Sequence, residues 1–234
     1  MPSGRVICRR HIVRVGAFLI LAAAGMIAGG AAVGQTVSAD RALIVAAQRG
    51  DTAEVGRLLA ASASVKERDD AGRTALLAAT QGNHVAAARL LIAAGADVNA
   101  QDAIADSPFL LAGASGHLEI LKLTLAAGAD LASVNRYGGT ALIPAAHYGH
   151  VETVRTLLAT KIAVDHVNRL GWTALLEAVI LGDGGPRHAE IVRLLIAAGA
   201  DVNLADSNGA SPLAHARGRG QTEVARLLAQ ADAR

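Results

Sequence analysis

The chain has 234 residues, 52% of them apolar but only 2% aromatic, which suits small helices packed closely on one another and excludes a core built on bulky side chains. Its 22 Lys and Arg face 20 Asp and Glu, a formal net charge of +2, too even a balance for a nucleic-acid or anionic-membrane surface. The single cysteine, Cys8, lies near the N-terminus, so the rest of the chain has neither disulfide nor thiol chemistry.

Residues 1–34 stand apart from the remainder of the chain. Arg5, Arg9, Arg10 and Arg14, with no acidic residue among them, precede the apolar run Val15 to Ile27 and then GGAAVG. This is the layout of a secretory signal, with Ala32 and Gly34 as the small residues before a cut at Gln35, or a cut after Ala32. An uncleaved anchor is the alternative, since Val15 to Val33 is 19 residues, about enough to span a bilayer. Either way the remainder is expected to be exported, to the periplasm of a bacterium or beyond it. Arg9 and Arg10 also suit twin-arginine export, with the general secretory route as the default. Without those four arginines, 18 basic residues face 20 acidic ones, a net of −2.

From residue 35 the sequence repeats. The stretch TALLAATQGNHVAAARLLIAAGADVN from Thr74 restarts at Ser107, Thr140, Thr173 and Ser211, at spacings of 33, 33, 33 and 38 residues, with a worn copy beginning near Arg41. A fixed period of this size predicts six supersecondary units, each burying its apolar face on its neighbours. In each unit the Thr or Ser is an expected N-cap for a short first helix, Ala75 to Thr80 in the second unit. Gly82, with Gly116, Gly149 and Gly220 as its counterparts, is expected to break that helix. A second, amphipathic helix comes next, with Val85, Ala88, Leu91 and Ile92 inward and Arg89 outward, closed by Gly95 as a left-handed cap. The polar ADVNAQD and the glycine two residues before the next Thr or Ser predict a hairpin-like turn. Ser62 replaces the capping glycine in the first unit, and the last exposes Arg217, Arg219, Gln221, Glu223, Arg226 and Gln230, as expected of terminal caps.

These units resemble the ankyrin repeat, with its G-x-T-P-L-H-x-A-A, G-H, L-L and G-A-D-V-N signature, over residues 41 to about 232. GRTALLAA from Gly72, ASGHLEILKLTLAAGAD from Ala114, YGHVETVRTLL from Tyr148 and IVRLLIAAGADVNLAD from Ile191 carry the likeness. The family's Pro survives only as Pro108 and Pro212, and its His becomes Leu77, Leu110, Ile143, Leu176 and Ala214, so apolar packing replaces that polar network. The resemblance implies an all-α solenoid of helix-turn-helix units in an arc, its turn tips projecting from one edge, that binds another protein.

Two places depart from plain scaffolding. The tips of units four and five carry Arg136, Tyr137, Arg169, Leu170 and Trp172, and Tyr148 ends the first helix of unit four beside His147. Rigid aromatic and Arg side chains on exposed loops are the usual anchors of a binding surface, although Tyr137 and Trp172 packing on adjacent tips is an equal reading. Unit five inserts five residues between Leu181 and His188, giving LGDGGPRH and placing Asp183 on a loop expected on the binding side. Its Glu177 replaces an apolar residue, so if buried it needs a partner, for which His188, Arg187 and Arg169 are candidates.

No catalytic machinery is legible. His84, His117, His150 and His188 share one repeat position and are expected to stack a repeat apart rather than converge on a metal. GDGGP lacks the Lys and Ser or Thr of a phosphate loop, and Glu177, Asp183 and His188 are joined only by proximity in sequence. The expectation is a monomeric protein-binding scaffold with no cofactor, no metal and no nucleic acid, touching a membrane only if the signal stays attached. The alternative is a small-ligand or enzymatic site in the groove of the fifth unit.

Overall fold

A computed structural model describes residues 39–234. The signal reading of residues 1–34 therefore lies outside the described residues. Twelve helices and no strand occur among them: α1 (39–49), α2 (Thr52–Ala60), α3 (Ala75–Gln81), α4 (Val85–Ala93), α5 (Pro108–Ser115), α6 (Leu118–Ala126), α7 (Leu142–His147), α8 (Val151–Leu158), α9 (Ala174–Ile180), α10 (Pro186–Ala197), α11 (Pro212–Gly218) and α12 (Thr222–Gln230). They form six antiparallel pairs in two layers. An inner layer runs α3 on α5 on α7 on α9 on α11, and an outer layer α2 on α4 on α6 on α8 on α10 on α12. No helix among the described residues is long and apolar enough to cross a membrane.

The inner helices are too short to persist alone, and burial on all sides holds them. In α3 every residue from Ala75 to Thr80 is buried, and in α9 every residue from Ala174 to Val179. Four starts are capped as the sequence predicts. Oγ of Thr74, Ser107, Thr173 and Ser211 accepts from the amides of Leu77, Leu110, Leu176 and Ala214 at 3.2–3.3 Å.

Thr140 departs from this expectation, because Pro144 stands where the other units have a donor. Ala78, Leu111, Glu177 and His215 each give their N–H to the carbonyl of the capping residue. Proline has no N–H to give, so α7 begins a residue late, at Leu142 with Ala141 as its cap, and the buried Thr140 Oγ1 has no hydrogen-bond partner among the described residues. A second correction concerns the bend after α3. Gly82 keeps φ −85°, and Asn83 at φ 53° takes the left-handed place that Gly116 fills after α5.

Three junctions between successive pairs are stapled through one register position at or near the start of the outer helix. His84 Nε2 donates to the Gln48 carbonyl of the preceding unit at 3.1 Å, His188 Nε2 to the His147 carbonyl at 2.8 Å, and Gln221 Nε2 to the Val179 carbonyl at 2.9 Å. Of the four histidines of this register, His84 and His188 thus make inter-unit bonds. The five-residue insertion is accommodated without disturbing them: α10 begins at Pro186, two residues ahead of His188, and runs for 12 residues where α4 and α6 have nine.

Candidate functional site

The tip loops are built on an Asx residue five positions before each helix cap. Asn135 Oδ1 accepts from the amides of Tyr137 and Gly139 at 2.9 and 3.1 Å, while its own amide donates to the Gly139 carbonyl. Asn168 Oδ1 does the same with Leu170 and Trp172 at 2.9 and 3.0 Å. Neighbouring tips are also bonded, the Arg169 amide to the Tyr137 carbonyl at 2.9 Å. With the backbone groups so tied, the side chain two places after the Asx points out. In three consecutive units that side chain is Ile104, Tyr137 and Leu170, each about half exposed.

Behind this row lies a groove of about 720 Å³ between the tips and the inner helices of units three to five. Tyr137 and Leu170 from the tips, Tyr148 and Leu181 from the inner-helix ends, and Ile143, Pro144 and Glu177 line it. The His147 and Tyr148 rings stack at 4.2 Å and 13°, with His150 at 6.1 Å from Tyr148. At one end Arg136 reaches Asp106 at 3.4 Å and lays its guanidinium 4.9 Å from the centre of its neighbour Tyr137's ring.

Glu177 is the buried charge of the site. Its Oε1 accepts from Asn168 Nδ2 at 2.9 Å, and its Oε2 stands 3.6 Å from His147 Nδ1, beyond hydrogen-bond length. The three partners expected from sequence are engaged elsewhere. His188 holds the His147 carbonyl and Asp183 Oδ1, the latter at 2.7 Å; Arg169 donates to the Arg136 carbonyl at 2.7 Å; and Arg187 is exposed on α10. Asn168 fits instead because the pairing follows the repeat register: in unit six Asp206 and His215 occupy the same two positions and meet at 2.9 Å.

Burial raises the Glu177 carboxyl above its ordinary value, against the opposing effect of the Asn168 hydrogen bond, and burial followed by His188 lowers His147. Both shifts favour the neutral forms. A carboxyl whose folded value is raised loses stability as pH climbs from its unfolded value near 4.5 through the folded one, because the unfolded chain ionises first. Glu177→Gln keeps the acceptor for Asn168 and removes this loss. The variant should melt with wild type near pH 4 and above it at pH 7, by an increment that thermal unfolding at the two values measures; equal melting at pH 7 would refute the assignment.

Of the nine residues singled out by sequence, the groove gathers Arg136, Tyr137, His147, Tyr148, Leu170 and Glu177. It does not gather Arg169, whose guanidinium is spent on the neighbouring tip and whose Cγ would lie 2.9 Å from a Cβ on Gly138. Trp172 is half-buried and does not line the groove. Asp183 sits on the inserted loop, which turns toward unit six, where Gln221 Nε2 donates to the Gly182 carbonyl at 3.2 Å, rather than toward the groove. Glu177, Asp183 and His188 therefore do not converge, and both nitrogens of His188 are structurally engaged. Ile104, Asp106, Asn168 and Leu181 were not legible as site residues. Their one signal is the register, 104, 137 and 170 for the tips and 148 and 181 for the helix ends. Among the described residues no three His, Cys, Asp or Glu side chains are placed to hold a metal ion.

Comparison with known proteins bears on this arrangement. The sequence profile of ankyrin repeats (three copies) matches residues 19–102 and 109–206. The crystal structure of an ankyrin repeat domain from Acinetobacter baumannii AYE superposes with a TM-score of 0.79 at 56% identity, over 82% of this chain and 98% of that one. The ankyrin repeat protein EF0377 superposes with the same TM-score of 0.79 at 42% identity, over 82% and 98% of the two chains. An Escherichia coli (strain K12) protein named for ankyrin repeats, YahD, is 47% identical over 57 residues, 24% of this chain and 28% of that protein's length.

Proposed function

The chain belongs to the ankyrin repeat family, whose repeats are generally protein-binding modules, and we propose from this premise that the groove of units three to five docks a partner protein outside the cytoplasm. The observation that carries the location is the row Ile104, Tyr137 and Leu170: large apolar side chains left exposed on loops whose backbones are tied down by Asp102, Asn135 and Asn168. Exposed apolar surface on a rigid support presents contact area at little ordering cost, and Tyr with a neighbouring Arg is the composition that interfaces favour.

The test is affinity capture from the producing cell's envelope fraction, comparing the wild-type domain with the pair Tyr137→Ser and Leu170→Ser. Loss of anchor contacts is expected to weaken capture by about 2 kcal/mol, roughly 30-fold, while each exposed change moves folding stability by no more than about 0.5 kcal/mol. Undiminished capture by the folded double variant would put the partner elsewhere.

Export is the second part of the proposal, and it rests on the basic flank, the apolar run and the small residues before Gln35. Sequencing the N-terminus of the protein recovered from the producing cell should give a chain starting near Val33 or Gln35; intact chains in the cytosol would count against it.

A further inference from the structure

Granting that reading of the groove, the partner's chemistry can be narrowed from one side chain. The Glu177 side chain is 9% exposed, and one of its oxygens already has a donor while the other has none within hydrogen-bond length among the described residues. That second oxygen shares the groove with Ile143, Pro144, Leu170 and Leu181, surroundings that leave a carboxylate poorly solvated. No acid stands in this register in the three preceding units, where Ala78, Leu111 and Pro144 fill it. The groove's one arginine, Arg136, is engaged with Asp106 and the Tyr137 ring. With His147 and His150 held toward their neutral forms by burial, the ionised groove carries two carboxylates against one guanidinium.

We propose that this groove receives a lysine or arginine side chain of the docked segment, its charge on Glu177 Oε2 and its stem between Tyr137, Tyr148 and Leu170. Each part of such a side chain meets its match. The cation supplies the donor that Oε2 lacks, the exposed Tyr137 and Tyr148 rings offer faces that attract it, and the methylenes cover the apolar wall. A neutral polar side chain would satisfy Oε2 but leave the charge excess, and an aliphatic one would bury the carboxyl without a donor. Because Glu177 must give up its proton to meet a cation, binding should tighten as pH rises. Asp106, Arg136, His147 and His150 are the other titrating or charged groups that face it.

The probe is N-acetyl-arginine amide, titrated into the domain and followed through backbone amide NMR signals, beside N-acetyl-citrulline amide, which has the same shape without the charge. The amides of Leu170 and Glu177 are expected to move saturably with the arginine probe, and about tenfold or more less tightly with citrulline. Glu177→Gln, whose shape preserves the Asn168 bond, is expected to bring the arginine response down to the citrulline level. Equal affinity for the two probes overturns the inference, and so does wild-type arginine binding by the Gln variant. Partner capture that depends on Tyr137 and Leu170 with no arginine response overturns the cation alone and leaves the docking surface standing. An arginine response lost in the Gln variant upholds the cation site even if capture proves independent of those two tips.

Discussion

Phe109→Ala is expected to cost about 3–5 kcal/mol and to break the cooperativity of unfolding. Phe109 is fully buried in α5 and is the bulkiest side chain in a core otherwise made of Leu, Ile, Val and Ala, so no neighbour is large enough to fill what it leaves. It also sits in unit three, where α5 is packed on both α3 and α7. In a quasi-one-dimensional array, stability is a sum of unit and interface terms, and a loss of this size in the middle uncouples the two sides. Trp172, the only tryptophan, lies in unit five and reports that side alone, whereas circular dichroism reports every helix. In wild type the two urea transitions should coincide; in the variant the dichroism should fall first. Coincident transitions shifted by less than about 1 kcal/mol would show that the core closes around the gap.

Gly116→Ala is the second large effect, about 2–4 kcal/mol, made of two separable parts. Gly116 caps α5 at φ 69°, where any Cβ costs about 1–2 kcal/mol. An added Cβ would also lie 2.5 Å from His150 Nδ1 and 2.7 Å from its Cγ, so the ring must leave its place over the preceding unit. Gly95→Ala is the control: its φ is 84° and nothing lies within 4 Å of the new carbon, so it carries the backbone cost alone. Chemical denaturation of both variants gives the steric part by difference, and equal losses would mean that His150 turns aside freely. Because that ring also lines the groove beside Tyr148, Gly116→Ala should weaken partner capture where Gly95→Ala does not.

The fold was legible because the units solve the same problems at the same places: a hydroxyl at the start of the inner helix in units two to six, a left-handed residue at the bend, and a glycine after the outer helix in units two, three and five. The misreadings came where a neighbour decides. Thr140 has the right hydroxyl, but the first helical bond belongs to the residue four places on, and Pro144 cannot make it. Gly82 and Asn83 are adjacent, and Asn is the residue besides glycine that accepts φ > 0 most readily, so composition alone does not say which one turns. At the candidate site, loud residues misled and quiet ones were passed over. Arg169 and Trp172 look like anchors in sequence, yet one bonds the backbone of the preceding tip and the other is half-buried outside the groove. Ile104 and Leu181 were passed over because aliphatic side chains carry no mark of exposure in sequence. Glu177 stood out as an acid in an apolar register, but its partner lay nine residues upstream in the same unit, a distance that only the folded loop closes.

The Asx-built tips carry one more implication, for how such a chain changes over time. The bonds that shape these loops are made by Asp102, Asn135 and Asn168, by Arg169 and His166 and by main-chain atoms, and none by the side chains of Ile104, Tyr137 or Leu170. On the proposed docking surface, recognition and folding are therefore written in different letters of the same loop. Mutation can re-address the protein at these three sites, or a tip can be transplanted from one unit to another, while selection on stability acts on the rest.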